Sequence, residues 1–330
     1  MKILVIRRDN IGDLVCSTPL IRALRQQLPD ANIQALLTHY NAEVLARNTD
    51  LDVVYSHQKA KHRGPGEGRF GIYWDRLKTI LALRQAHFDW VLLPGGAQAS
   101  SLRFARMIAP QRVLVRDDQD KVAGPHEVEQ CCHLLVRMGL SYAAPAPVVV
   151  PDPQLSAVFH QQCVAHLGFV PTRLIGVHIS ARKVSQRWPA ERFAGFIRHV
   201  TQSPGTACLL FWAPGSADDP KHPGDDEKAA AVMAATGSAP VVPLPTQGLD
   251  KLIAGLSLCH SVLCADGGAM HLAAALGKPM VCLFGDSDPE RWGPWAVPHR
   301  IAQSPQRHVE DLALDAILSR WTALASDSHG

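Results

Sequence analysis

No run of about 18 uncharged apolar residues occurs in the chain, so no segment of it is expected to span a bilayer. The opening Met1–Ile6 stretch meets Arg7, Arg8 and Asp9 at once, which leaves too short an apolar core for a secretory signal. Excess charge of either sign is also missing. The 33 Lys and Arg residues stand against 30 Asp and Glu, a net charge of +3, which gives no global field of the kind that gathers nucleic acid. The eight cysteines (Cys16, Cys131, Cys132, Cys163, Cys208, Cys259, Cys264 and Cys282) contain no C-x-x-C pair and sit mostly in apolar runs. That argues against a zinc site or a disulfide framework and suits a reducing compartment. A dinucleotide fingerprint is absent from the turn after the first strand, where Arg7–Asp13 holds a single glycine. This counts against an NAD(P)-dependent oxidoreductase.

What is present fits a globular chain. Its 330 residues are 47% hydrophobic and 19% charged, enough for two domains of ~150 residues each. Short apolar, β-branched runs alternate with helical periodicity almost throughout. Strands are expected at 2–6, 32–38, 53–57, 89–94 and 111–116, with helices at 19–28, 40–48, 75–86 and 100–109 between them. A proline-rich stretch at 143–153 reads as a link, followed by a helix at 154–167. A second series then offers strands at 174–180, 207–212, 240–244, 261–266 and 280–285, with helices at 190–200, 226–235, 250–259 and 269–276. The last segment, 309–324, is amphipathic through Leu312, Ile317, Trp321 and Leu324. Uniformly apolar short strands separated by helices imply parallel sheets covered on both faces. The expected architecture is therefore α/β, with two Rossmann-like doubly wound lobes and a cleft between them. Ligands in such sheets sit beyond the carboxyl ends of the strands.

Several loops at those ends could carry chemistry. Arg7–Asp13 joins the first strand to the first helix; Gly12 permits close backbone approach, and Asp13 could take a proton from a hydroxyl or simply complement the helix N-terminus. Ser180–Pro189 brings Arg182, Lys183 and Arg187 together with Ser180 and Ser185, suiting a diphosphate or forming a solvated basic loop. Asp266-Gly267-Gly268 enters a small-residue helix with His271 in its first turn, an arrangement that seats an anion on bare amides. Asp225, Asp226 and Glu227 follow a second strand, where acids often hold ribose hydroxyls, though a solvated acidic face explains them too. Two matches are set aside. Gly66–Gly71 fits G-x-G-x-x-G away from any strand-to-helix turn, and Asp286-Ser287-Asp288 resembles a metal pair beside cations that could neutralise a diphosphate themselves. Residues 59–78 concentrate Lys59, Lys61, His62, Arg63, Arg69, Arg76 and Lys78 with Phe70, Tyr73 and Trp74, suiting an anionic or membrane-bound partner or a solvated loop.

Taken together, these segments resemble glycosyltransferase family 9, the ADP-heptose:lipopolysaccharide heptosyltransferases. The likeness opens at Arg7–Asp13 with Thr18-Pro19-Leu20 and Ala23-Leu24. It strengthens at Asp266–Pro279 (DGGAMHLAAALGKP) and continues through Val281–Gly285, Pro289 and Gly293-Pro294. The resemblance implies a GT-B fold and heptose transfer with inversion, with no metal or other cofactor beyond the nucleotide sugar. By that likeness Asp13 is the general base, and Asp266, Gly267, Gly268 and His271 form the donor block. Residues 1–150 become the acceptor lobe and 151–308 the nucleotide-sugar lobe, with 309–330 as a terminal helix returning toward the first.

One departure stands out. Family members carry a lysine two positions before the Trp-Pro of the second loop, and here that position is Gln186, which leaves Lys183 and Arg187 as candidate replacements. Ser180, Lys183 and Arg187 are therefore the expected donor-phosphate contacts, and Gly12, Arg63 and Arg69 the expected acceptor contacts. The expected partners are ADP-heptose and an anionic, lipid-linked glycan, not nucleic acid. The expected setting is the cytoplasm, with at most peripheral contact at the inner membrane. A non-catalytic nucleotide-sugar-binding protein is the remaining alternative.

Overall fold

A computed structural model describes residues 1–57, 69–117, 119, 124–218 and 224–327. The chain forms two compact units, Met1–Val150 and Pro151–Gly330, divided within the proline-rich stretch.

In the first unit, β1 (Lys2–Ile6), β2 (Asn32–Thr38), β3 (Val53–His57), β4 (Trp90–Leu93) and β5 (Arg112–Val115) form one parallel sheet in the order β3-β2-β1-β4-β5. The helices are α1 (Ile11–Val15), α2 (Thr18–Gln27), α3 (Arg69–Gln85), α4 (Ala99–Ile108) and α5 (Glu127–Arg137). The strands are apolar because helices bury both faces. Leu4, Ile6, Leu36, Val91 and Leu93 pack with Leu83, Phe88, Phe104 and Ile108. Strand order reverses at β1, whose neighbours are β2 and β4. The Arg7–Asp13 turn therefore leaves the sheet at its topological switch point, where a ligand crevice belongs.

The helix expected at 40–48 is instead a short 3-10 turn, Ala42–Leu45. Asparagine side chains compete with the helix on both sides of it. Asn41 Oδ1 accepts from Thr38 N at 3.0 Å, and Asn48 Oδ1 accepts from Asp50 N at 2.9 Å. Helix α3 starts earlier than its apolar spacing suggested, at Arg69, and α1 and α5 were not expected.

The second unit opens with α6 (Pro153–Leu167), capped by Asp152 Oδ1, which accepts from Gln154 N and Leu155 N at 2.9 and 3.2 Å. Its sheet comprises β6 (Arg173–His178), β7 (Thr206–Trp212), β8 (Val241–Pro245), β9 (Ser261–Ala265), β10 (Met280–Phe284) and β11 (His299–Gln303). All pair in parallel, in the order β11-β10-β9-β6-β7-β8. The connecting helices are α7 (Ala190–Val200), α8 (Asp226–Thr236), α9 (Leu249–Leu258), α10 (Gly268–Ala275) and α11 (Pro289–Trp292). The order reverses between β6 and β9, so the loops after these two strands share the second switch point.

The terminal segment is not one helix. A 3-10 turn at Val309–Asp311 precedes α12 (Leu314–Asp327). The break at Leu312 has a physical cause: its carbonyl accepts from Trp188 Nε1 at 2.9 Å and Arg192 Nη1 at 2.8 Å, partners from elsewhere in the unit. The helix expected to return toward the first unit has its apolar stripe, Ile317, Trp321 and Leu324, buried in the second unit's own core.

Candidate active site

The first unit places a buried charge network under the β1 turn. Arg7 and Arg8 follow directly on β1, and both are buried. Arg7 Nη2 donates to Asp13 Oδ1 at 2.9 Å and to Glu127 Oε1 at 2.7 Å, while Arg7 Nε lies 3.2 Å from Asp9 Oδ2. Arg116 Nη1 donates to the same Glu127 oxygen at 2.5 Å. The other Asp13 oxygen accepts from Asn10 N at 3.2 Å and Asn10 Nδ2 at 2.8 Å. Asp13 therefore does complement its helix, but both its oxygens are aimed by fixed donors while the side chain stays 15% exposed. Oδ1, with the single Arg7 donor, keeps lone-pair capacity for a further donor, whereas Oδ2 already accepts two.

Burial opposes ionisation of Glu127, but Arg7 and Arg116 outweigh it and hold the carboxyl below its usual range. Burial likewise works against the Arg7 charge, and the carboxylates of Asp13, Glu127 and Asp9 hold its pKa above the ordinary value despite that. Gly95, following β4, closes the back of this network. A Cβ there would sit 2.7 Å from Asp9 Oδ2 and 3.4 Å from Arg7 Nη1. Gly12 is buried within α1, and its carbonyl accepts from Cys16 N. Arg63 and the side chain of Arg69 lie outside the described residues.

In the second unit, two switch-point loops meet. Gln186 Nε2 donates to Asp266 Oδ2 at 2.7 Å and to Ser287 Oγ at 3.3 Å, tying the loop after β6 to those after β9 and β10. Gly267 has φ 155°, within the range that suits glycine, and leads into α10 with Gly268 as its first residue. His271 is buried in the first turn of α10, edge-on to Trp292 at 6.3 Å between ring centres. Ser180 Oγ accepts from Ala213 N at 2.8 Å, which links the ends of β6 and β7.

The cations near these loops have separate partners. Lys183 pairs with Asp286 at 3.0 Å, an exposed ion pair that Ser185 Oγ also joins at 3.1 Å. Arg187 Nε donates to the Ala181 carbonyl at 3.2 Å. Lys228, which the sequence did not single out, donates from Nζ to the Ile179 carbonyl at 2.9 Å and lies 5.0 Å from the centre of the Phe193 ring. Burial pushes Lys228 down to about 8, with Asp225 opposing that shift and Arg187 adding to it. Among the ribose candidates, Asp226 spends both oxygens on Trp212 Nε1 (2.7 Å) and Gly215 N (2.9 Å). Asp225 is the acid whose charge reaches Lys228, and Glu227 is exposed. Asp288 caps α11 through Glu290 N at 3.0 Å, so both acids of the suspected metal pair have protein partners. Among the described residues, no three His, Cys, Asp or Glu side chains gather as a metal site.

These two switch-point sites can be set beside known proteins. The model of glycosyltransferase family 9 (heptosyltransferase) matches residues 76–321. The chain belongs to this family. As a family 9 member it is a glycosyltransferase, as the resemblance implied. Lipopolysaccharide heptosyltransferase 2 of Salmonella typhimurium is 28% identical over 308 residues, covering 88% of this chain and 84% of that one. The family 9 glycosyltransferase of Veillonella parvula superposes with a TM-score of 0.84 at 18% identity, over 99% of this chain and 97% of the other. The ADP-heptose lipopolysaccharide heptosyltransferase II of Escherichia coli gives 0.75 at 22% identity, with both chains fully covered. The two parallel-sheet units thus have the GT-B fold of family 9.

Proposed function

We propose that this family 9 glycosyltransferase moves a heptose from ADP-heptose to an anionic, lipid-linked inner-core glycan of lipopolysaccharide, with inversion and without a metal. The names of the related proteins, a lipopolysaccharide heptosyltransferase and an ADP-heptose heptosyltransferase, support the donor and acceptor classes. One observation carries the chemistry: the Asp13 carboxylate stands at the carboxyl end of β1 with both oxygens oriented by Arg7 and Asn10. In this reading Asp13 takes the proton of an acceptor hydroxyl as that oxygen attacks the anomeric carbon and the bond to the diphosphate breaks. Negative charge then grows on the leaving ADP. In this reading the 267–268 amides, His271, Ser180, Arg187 and Lys228 stabilise that charge, oriented before reaction begins. Asp266, held by Gln186, fixes the loop that presents those amides.

No described helix is long and apolar enough to cross a membrane. We assign the work to the cytoplasmic face of the inner membrane, reached by peripheral contact. The test is incubation with ADP-heptose and a truncated core acceptor, with transfer read by mass. General-base assistance contributes ~10²–10⁴-fold, so Asp13→Asn should lower turnover by that order while ADP affinity stays near normal. Undiminished turnover would remove Asp13 from the role, and EDTA should leave the parent's transfer unchanged.

A further inference from the structure

The network around Arg7 gathers several charges in a buried place. Glu127, the first residue of α5, is buried, and 120 residues of chain separate it from Arg7. Burying ions in this way is costly, and apolar packing of similar volume often stabilises as well or better. Yet the chain of charges runs Arg116–Glu127–Arg7–Asp13, and only its Asp13 end reaches solvent appreciably, with the Glu127 and Arg7 side chains each 1% exposed. The two protons of one guanidinium nitrogen are split between Asp13 and Glu127, at 2.9 and 2.7 Å.

We propose that Glu127 is a positioning residue for Asp13: by competing for the same Arg7 nitrogen, it limits the hold of Arg7 on the Asp13 carboxylate and so preserves its basicity. The inference rests on the reading of Asp13 as the base. The groups facing Arg7 are Asp9 and Asp13 from the β1 turn, Glu127 and Cys131 from α5, and Arg116 beyond β5, with Cys16 from the end of α1 close to the same charges. Burial pushes the Cys131 and Cys16 thiols up, so they remain neutral. The negative charges that balance Arg7 and Arg116 are therefore Asp9, Asp13 and Glu127.

The sign follows from this balance. Glu127→Gln keeps the shape and an accepting oxygen but removes one negative charge. The neutral Gln oxygen holds Arg7 less strongly than the carboxylate did, so Arg7 acts more fully on Asp13, and Arg116 is left as a buried cation without its carboxylate; both changes make Asp13 harder to protonate. In protein labelled with 13C at the aspartate carboxyls, the signal that Asp13→Asn deletes should titrate about one pH unit lower in Glu127→Gln than in the parent. The acid limb of transfer should move the same way, with turnover reduced and the KM for ADP-heptose little changed. Arg116→Gln combined with Glu127→Gln restores the charge balance and should bring the signal back. If Glu127→Gln alone does not fold, Arg116→Gln alone gives the opposite sign, an upward move. A folded Glu127→Gln protein whose Asp13 signal titrates where the parent's does would overturn the proposal, as would an Arg116→Gln protein without the upward move. Transfer undiminished in Asp13→Asn would overturn the base reading and this inference together. Lost transfer in Asp13→Asn with an unmoved titration would overturn the role of Glu127 alone.

Discussion

Lys228 enters α8 directly after the acidic pair Asp226 and Glu227, and in sequence the group reads as a solvated, charged helix start. Its surroundings are otherwise: the ammonium reaches the carbonyl that follows β6 and packs on Phe193, which costs it solvation and brings it down to about 8. No spacing rule reveals this, because the burial arises from where α8 docks on α7 and β7. With the Gln186 amide spent on Asp266, Lys228 is the cation we propose for the donor phosphates. A charge-assisted contact to a diphosphate contributes ~1.5–3 kcal/mol, so Lys228→Met should weaken ADP binding by about tenfold or more. The pH dependence has a definite sign. Above about 8 the free ammonium loses its proton and its attraction for phosphate, so ADP affinity should fall as pH rises from neutrality through that value. Calorimetric titrations across this range should show that fall in the parent and a flatter profile in Lys228→Met. Parallel profiles would exclude Lys228 from the phosphate site.

At the scale of elements, α3 shows an exposed apolar stripe. Trp74, Leu77 and Leu81 are 56%, 45% and 50% exposed, and their spacing of three and four residues puts them on one face. Exposed Lys78 and Arg84 flank that face, and Lys78 Nζ lies 5.9 Å from the Trp74 ring centre. The expectation of membrane contact at residues 59–78 can be tested on this face, where cations accompany the exposed apolar side chains. Sedimentation with phosphatidylglycerol vesicles should capture the parent, and replacing Trp74, Leu77 and Leu81 with serine should release it. Raising salt from about 0.1 M to about 1 M shortens the screening length from ~10 Å to ~3 Å, and should weaken capture as well. Capture unaffected by the serine changes would place membrane contact elsewhere.

Nearly all strands were legible in the sequence because a strand buried on both faces must be apolar at almost every position, as β9 and β10 are. Helix α5 was not, since it opens on His126, Glu127 and Glu129, charges that look solvent-facing until Arg7 and Arg116 are brought to them by the sheet. The Asp266-Gly267-Gly268 loop could be read for a different reason: glycine at φ 155° leaves a mark in the sequence that a buried ion pair does not.

For the molecule as a whole, each unit carries a neutral histidine held well below its ordinary value, His57 buried and His178 half-buried, and the two impose the same pH response. In the first, burial, then Arg8 and Arg76, push His57 down to about 3; its Nε2 lies 2.8 Å from Arg8 Nη2. In the second, burial and then the Lys228 ammonium push His178 down to about 4. Both start from an unfolded value of 6.5, so between 6.5 and these lower values the unfolded chain binds more protons than the folded one. Stability therefore falls as pH drops through that window. Glu127, held below the ordinary carboxylate value, acts in the same direction further down, its contribution fading as it is protonated. Thermal melts should show a steady fall in midpoint on acidification from pH 6.5, with both units weakened. His57→Gln keeps an oxygen that can accept from Arg8 but removes the titration. It should flatten the dependence by about 1.4 kcal/mol per pH unit in that window, the contribution of one proton. An unchanged slope would mean that His57 is already protonated in the folded protein.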